Sequence, residues 1–177
     1  MKTNDLRETG EGIFYSDQPL VMADQAVIDF LKEKARCVPQ RRARLCAHPS
    51  PDADQHDMLI VSHRDTYVAP HRHLRKTESF LILEGFAEAI FFDDDGAVTE
   101  RVAMGPAGSE RPFFYRMPAG RFHSLFIESE VLVFVESTKG PFISEETESA
   151  PWAPGPDEAV EGKIYLSELL TGNAENQ

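Results

Sequence analysis

Residues 58 to 137 are divided into short apolar segments separated by turn residues, and this pattern restricts the fold more than any other feature. The segments that have the character of strands are Met58–His63, Thr66–Val68, Ser79–Leu83, Phe86–Phe92, Val98–Met104, Phe113–Met117, Phe122–Ile127 and Val131–Ser137. Between two of them the pair Asp95–Gly96 is typical of a hairpin turn. Many short strands with regular turns predict an all-β sandwich or barrel.

A single amphipathic helix is predicted before the strands. Apolar residues recur at helical spacing from Asp24 to Arg36, Asp24 is a suitable N-cap, and Pro39 follows the helix. We therefore predict three parts: an N-terminal extension (1–23), a β-domain with its leading helix (24–143), and an acidic, proline-rich tail (144–177). The tail is expected to be irregular, although residues 164–170 have the character of a short strand or helix.

Composition excludes several classes of partner. The chain of 177 residues has a formal net charge of −12, which argues against binding to nucleic acid or to anionic membranes. No apolar run approaches the roughly 20 residues of a membrane span, and the first residues lack the apolar core of a signal peptide. Cys37 and Cys46 are the only cysteines. We expect a cytoplasmic protein with both thiols reduced.

The strongest chemical signal is a set of histidines and one glutamate. His71 and His73 are two residues apart, so an extended strand directs both imidazoles to one side. Glu78 has the opposite parity, and we expect a kink or bulge within residues 74–77 to turn it back. His123 ends a PxGxxH sequence and supplies a third imidazole. Three imidazoles and one carboxylate predict a mononuclear site for a divalent transition metal.

These residues resemble the two motifs of the cupin superfamily. The first motif is matched at His71, His73, Glu78 and Gly85, and the second at Pro118, Gly120 and His123. The outer positions depart from the family pattern, with Asp65, Pro112 and Ile127 in place of Gly, Gly and Asn. The resemblance implies a jelly-roll β-barrel with a metal bound by His71, His73, Glu78 and His123. It leaves open whether the metal is zinc, iron, manganese or nickel.

A narrower resemblance covers about residues 24–143. The R-x-R-x-x-x-H pattern at Arg42, Arg44 and His48, the segment YVAPHRHLRKTESFLILEG, the following FFDDDG and the segment ESTKGPF are similar to WbuC-type cupin-fold metalloproteins. Members of that family are bacterial, and many are encoded among surface-polysaccharide genes. The resemblance therefore implies a link to polysaccharide biosynthesis without implying a settled reaction.

Residues outside the metal set are candidates for substrate binding. The basic run that contains Arg42 and Arg44 is either a solvated loop or edge strand, or a clamp for a carboxylate or phosphate. Arg44 and His48, which match the WbuC-type pattern, are predicted to face the substrate. Tyr67 and Tyr115 are candidates for the wall of the pocket, with packing in the core as the alternative. Glu78 is also the candidate catalytic residue.

Three functions fit these features. The first is a metal-dependent enzyme on a small anionic or sugar-derived substrate, with isomerase-like or epimerase-like Lewis-acid chemistry. A variant of it is an iron- or manganese-dependent oxygenase. The second is a non-catalytic binding or sensor module, and the third is a β-barrel that the metal only stabilises. Exposed apolar strands favour a homodimer.

Overall fold

The computed structural model describes residues 5–172, which form two β-sheets and two α-helices. The strands and helices are β1 (Leu6–Gly10), β2 (Ile13–Ser16), α1 (Gln25–Cys37), β3 (Arg42–Cys46), β4 (Gln55–His63), β5 (His71–His73), β6 (Glu78–Glu84), β7 (Ala87–Phe92), β8 (Val98–Met104), β9 (Phe114–Met117), β10 (Phe122–Ile127), β11 (Val131–Lys139), β12 (Thr147–Ser149) and α2 (Ala159–Gly172). A short 3₁₀ helix covers Ser144–Glu146. The prediction of a mostly β fold with a leading helix is confirmed.

The two sheets pack against each other around an apolar core. One has seven strands in the order β1-β2-β3-β4-β11-β6-β9, and the other has five in the order β12-β5-β10-β7-β8. Neighbouring strands are antiparallel except for the β2–β3 pair. The core between the sheets contains Met58, Phe80 and Phe134 from the larger sheet and Phe91 and Leu125 from the smaller one. This arrangement of two sheets matches the expected jelly roll.

Helix α1 covers the outer face of the seven-stranded sheet. Its N-cap is Asp24, whose side chain accepts a hydrogen bond from the Val27 backbone N–H at 3.2 Å. Val27, Leu31 and Ala35 are fully buried because their helical spacing places them on one side, facing the sheet. The predicted amphipathic helix is confirmed, with bounds shifted by one residue.

The chain changes sheets between His73 and Glu78. His73 ends β5 in the five-stranded sheet, and Glu78 begins β6 in the seven-stranded sheet. The expectation of a bulge within one strand is therefore wrong. The Glu78 side chain faces the histidines because the two sheets face each other, so the parity of a single strand does not apply.

The tail is more ordered than its composition predicted. Strand β12 pairs with β5, which aligns Thr147 with His73 and Ser149 with His71. Helix α2 follows, and its Leu166 is buried in a cluster with Phe92 and Phe122 of the five-stranded sheet. The prediction of an irregular tail is wrong over residues 147–149 and 159–163, since contacts with the domain order these residues, whereas the short strand or helix expected at residues 164–170 is present as part of α2. Residues 173–177 of the predicted tail lie outside the described residues.

The N-terminal residues also join the domain. Strands β1 and β2 extend the larger sheet, with β2 pairing in parallel with β3. Because β3 lies between β2 and β4, it is neither a loop nor an edge strand. Residues 1–4 of the predicted extension lie outside the described residues. No helix between residues 5 and 172 has the length and apolar character that crossing a bilayer requires.

Candidate metal centre

Four side chains predicted as metal ligands converge between the two sheets. Strands β5 and β10 pair with His71 opposite His123, and one ring nitrogen from each of His71, His73 and His123 lies within 4.8 Å of the other two. Glu78 approaches from the opposite sheet. Its Oε2 atom lies 3.3 Å from His73 Nε2 and 3.8 Å from His123 Nε2. The three imidazoles form one group, and the Glu78 carboxylate lies beside it.

Each imidazole is held in place through its Nδ1 atom. His71 Nδ1 lies 2.8 Å from the Ala69 carbonyl oxygen, and His123 Nδ1 lies 3.1 Å from the Arg121 carbonyl oxygen. His73 Nδ1 lies 3.1 Å from Thr147 Oγ1. A carbonyl accepts only from a protonated Nδ1, so the Nε2 atoms of His71 and His123 keep their lone pairs. Such outer partners fix the orientation of imidazoles that bind metals.

Two glycine turns position the ligand strands. Gly120 has a φ of 82°, and its N–H donates to the His73 carbonyl oxygen at 2.7 Å, which ties the turn before His123 to β5. Gly85 has a φ of 85° and turns the chain from β6 to β7. Other residues rarely adopt this left-handed conformation, which accounts for glycine at both motif positions.

Burial sets the protonation of the site. Desolvation, followed by the charge of His123, lowers the pKa of His71 to about 3, and desolvation also lowers the pKa of His123. Burial alone would raise the pKa of Glu78. The hydrogen bond with His73 and the neighbouring imidazoles outweigh it, so the pKa of Glu78 lies below its ordinary value. Neutral imidazoles and an ionised carboxylate are the forms that bind metals.

The chemistry of this donor set fits a divalent metal. Glu78 is 4 % exposed, and no lysine or arginine among residues 5–172 forms an ion pair with its carboxylate. A buried carboxylate without an arginine or lysine partner carries a large desolvation cost, which a bound metal cation offsets. His71, His73, Glu78 and His123 would together hold the ion, and imidazole and carboxylate suit zinc, iron, manganese and nickel alike.

A cavity of about 660 Å³ opens beside the four candidate ligands. Its wall comes mostly from the inward face of the seven-stranded sheet. The charged side chains that line it, apart from the histidines, are four cations and two carboxylates: Arg7, Arg42, Arg44, Lys76, Glu78 and Glu136. The cavity is therefore basic within an acidic protein, and it is large enough for a ligand of sugar size.

Three of the four predicted substrate-binding residues line this cavity. Arg44 faces it from β3, and His48 lies beside it with its ring stacked on His56 at 3.9 Å. Desolvation, then the charge of His56, lowers the pKa of His48. Tyr115 stacks on Phe80, with ring centroids 5.2 Å apart. Burial, followed by the charges of Glu78 and Glu136, raises the pKa of Tyr115 well above its ordinary value, so its phenol is a neutral donor.

Tyr67 lies elsewhere. Its hydroxyl donates to the Pro154 carbonyl oxygen at 2.7 Å, and its ring packs against Gly162 of helix α2. The structure therefore does not bring Tyr67 to the cavity with Arg44, His48 and Tyr115. The physical reason is that the segment before β5 runs beneath α2, an element that the sequence analysis left undecided.

Two further cavity residues were not singled out from the sequence. Glu136 lies on β11 opposite Phe80, and burial, then the charge of Glu78, raises the pKa of its carboxyl to about 7. Ser62 lies on β4 opposite Arg42. Both have the inward parity of their apolar strands, and a polar residue at an inward position was the available signal.

Comparisons with known proteins give information about the fold and assign no function to this chain. The model of a domain of unknown function, DUF6016, matches residues 23–104, which include His71, His73 and Glu78 but not His123. No curated protein matches the sequence. Among solved structures, the chain is similar to the capsular polysaccharide assembling protein CapF from Staphylococcus aureus, with a TM-score of 0.50 and 18% identity over 63% of this chain. The aligned part of this chain spans about a third of the length of CapF (32%).

Two other similar structures are smaller. KdgF from Halomonas sp. has a TM-score of 0.44 and 16% identity, covering 61% of this chain and 86% of that one. The cupin domain of Cnp3 from Schizosaccharomyces pombe has a TM-score of 0.45 and 12% identity, covering 56% and 61%. CapF is a cupin-fold protein, and the similarity to it shows that this chain has the same fold over the part that aligns. The described residues include a group of three histidines able to hold a metal.

Proposed function

We propose that this chain is a metal-dependent cupin-fold enzyme that acts on a small anionic or sugar-derived substrate. The observation that supports the proposal is the position of His71, His73, Glu78 and His123 at the wall of a 660 Å³ cavity. A metal that only stabilises a fold has closed coordination. Here the candidate ligands face a space that a small molecule can enter, and cationic side chains outnumber carboxylates around it.

A divalent ion in this site would polarise a carbonyl or hydroxyl oxygen of the substrate as a Lewis acid. The protein supplies the proton-transfer groups. Glu78 is the candidate catalytic carboxylate, and the neutral Tyr115 phenol can donate a hydrogen bond inside the cavity. Glu136, with a pKa of about 7, can hold or release a proton near neutral pH. Groups of this kind suit an isomerase or epimerase, which moves a proton at carbon.

The finer assignment depends on the resemblance to WbuC-type metalloproteins, which implies a role near surface-polysaccharide metabolism. We propose Lewis-acid isomerase or epimerase chemistry as the reaction class. An iron- or manganese-dependent oxygenase needs the same ligands and is the second candidate, because histidine and carboxylate sites with open positions also support oxygen chemistry.

The test is the metal content of the full chain, expressed in medium supplemented with zinc, iron, manganese and nickel. We expect about one ion per chain in the wild type, because residues 5–172 contain a single histidine group of this kind. His123→Ala should lose the ion. His56→Ala is the matched control, since His56 is another buried histidine of the same cavity outside the metal group, and it should keep the ion. Sugar acids and nucleotide sugars are then screened for turnover by mass spectrometry.

Each outcome has a distinct meaning. Metal-free wild type, or a full complement of metal in His123→Ala, would refute the site. Metal with tight capture of a sugar acid but no product would indicate the non-catalytic binding module. Zinc or nickel as the sole bound metal would weigh against the oxygenase.

A further inference from the structure

Two arginines of β3 face the cavity from the same side of the strand. Arg42 and Arg44 are two residues apart, and both line the cavity, whereas Ala43 and Leu45 between and after them are buried beneath α1. Arg41, the third member of the basic run, has a φ of 56° and donates to the Arg36 carbonyl oxygen instead. The basic run therefore contributes a pair of guanidinium groups to the cavity.

This pair lacks an ion-paired carboxylate in the part of the chain that the structure describes. Within residues 5–172, no carboxylate forms an ion pair with Arg42 or Arg44, although Glu136 lies close enough to raise the pKa of Arg42. The other two cations of the cavity are engaged. Arg7 pairs with Asp17 at 3.3 Å, and Lys76 Nζ donates to the Pro141 carbonyl oxygen at 2.8 Å.

Unsatisfied polar atoms lie at the same place. Arg44 Nε and Ser62 Oγ are buried and have no hydrogen-bond partner in the part of the chain that the structure describes. Ser62 is directly opposite Arg42 in the β3–β4 ladder, so the three side chains occupy neighbouring positions on one face. Burial, followed by repulsion from Arg44, lowers the pKa of Arg42. Arg44 Nε and Ser62 Oγ, buried without a partner, are costly unless a ligand supplies hydrogen-bonding groups to them.

We infer that Arg42, Arg44 and Ser62 form an oxyanion subsite that binds a carboxylate or phosphate group of the substrate. Guanidinium groups bind both anions in bidentate fashion, and the serine hydroxyl adds a further donor. The inference deepens the proposed function, because it assigns the anionic group of the substrate to a place separate from the metal centre.

The order of strands in the sheet sets the distance between the arginine pair and the candidate metal centre. Strand β3 carries the arginine pair and β6 carries Glu78, with β4 and β11 between them. Three strand spacings amount to about 14 Å at the backbone, which side chains that converge in the cavity shorten. Glu136 projects from β11 into the intervening space. A substrate that reaches both ends has an anionic group several bonds away from its reacting oxygen, as in a sugar acid or sugar phosphate.

The test measures anion binding to the full chain, with and without metal. Glucuronate and inorganic phosphate are titrated calorimetrically into wild type, Arg42→Gln, Arg44→Gln and Arg116→Gln. Arg116 is exposed on β9 outside the cavity, so its variant is the control for an equal loss of charge. We expect the wild type to bind at least one of the two anions in the metal-free state. Each cavity variant should bind it at least about tenfold more weakly, as for the loss of a charged hydrogen bond.

The two anions distinguish the chemistry of the substrate. Binding of phosphate alone indicates a phosphate-bearing substrate, and binding of glucuronate alone indicates a carboxylate-bearing one. Failure of the wild type to bind either anion would overturn the subsite, as would wild-type affinity in Arg42→Gln and Arg44→Gln. If a variant does not fold, the side-chain Nε–H resonances of Arg42 and Arg44 in wild-type protein decide the question. They must shift on titration, and unshifted resonances would overturn the inference.

Metal analysis of the same samples separates this inference from the proposed function. A chain that binds anions through Arg42 and Arg44 but takes up no metal supports the subsite and refutes the metal enzyme. A chain that takes up metal but binds neither anion refutes the subsite and leaves the proposed metal enzyme standing.

Discussion

The two faces of the seven-stranded sheet differ in what they carry. On the outer face Ala43, Leu45, Val61 and Val133 pack beneath α1 in an apolar cluster. On the inner face the same strands present a mixture of apolar and ionisable groups, such as Glu136. Because successive residues of a strand point to opposite faces, each strand serves both surfaces at once.

This contrast shows how the fold remains stable although charged groups are partly buried on its inner face. Charged groups that are partly removed from water destabilise the folded state unless a ligand or metal compensates. The apolar cluster beneath α1 contributes hydrophobic burial from side chains that carry no charge, and it fixes the backbone of β3 and β4. We infer that the outer face contributes to stability alone, whereas the inner face combines its part of the apolar core with the chemistry.

The largest expected effect comes from breaking the outer face. Leu31 is fully buried between α1 and the sheet, so Leu31→Ala should lower the free energy of unfolding by about 2–5 kcal/mol. Urea denaturation measures the loss. Leu20→Ala removes the same atoms from a side chain that is 67% exposed, and it should change stability by less than about 0.5 kcal/mol.

The second part of this test concerns the metal. Folded Leu31→Ala protein should still bind metal with wild-type stoichiometry. The reason is that α1 packs on the outer face of the sheet, whereas the four candidate metal-binding residues lie between the two sheets. Loss of metal from the folded variant would show that the two faces are not independent.

Much of this contrast was predictable from the sequence. The short apolar segments of β4 and β11 and the helical period from Asp24 to Arg36 depend on local geometry, which a sequence records directly. The spacing of His71 and His73 also predicted that the two side chains share a face. These features need no knowledge of which elements meet in three dimensions.

Other features depend on long-range contacts and were not predictable. Glu78 reaches the histidines because β6 joins the opposite sheet, and no local pattern states which sheet a strand will join. Strand β12 is ordered by pairing with β5, although its own residues are polar. Tyr67 and Tyr115 are equally suited to a cavity wall by residue type, and only the position of α2 separates them. The parity of Glu136 on its apolar strand was visible in the sequence, but its proximity to Glu78 depends on the pairing of β11 with β6.

An intermediate effect is expected from a residue of the tail. Thr147→Val keeps the shape of the side chain but removes the hydrogen bond between Oγ1 and His73 Nδ1. Metal affinity should fall by roughly 10–100-fold, as for other outer partners of ligand histidines. Competition with a chelator of known affinity measures the change. Thr99→Val is the control, since Thr99 Oγ1 donates to the Phe91 carbonyl oxygen on the outer hairpin, and it should bind metal normally. Equal metal affinities of Thr147→Val and Thr99→Val would show that Thr147 of β12 does not support the metal site.

The smallest effects distinguish the two tyrosines. Tyr67→Phe loses a hydrogen bond to the Pro154 carbonyl oxygen and should cost about 0.5–1.5 kcal/mol of stability, measured by thermal and urea unfolding. It should leave the absorption spectrum of the cobalt-substituted protein unchanged, because Tyr67 does not line the cavity. Tyr115→Phe should change that spectrum, since the phenol lies close enough to Glu78 for its pKa to respond to the carboxylate charge. A spectral change in Tyr67→Phe but not in Tyr115→Phe would reverse the assignment of the two residues and place the substrate on the side of α2.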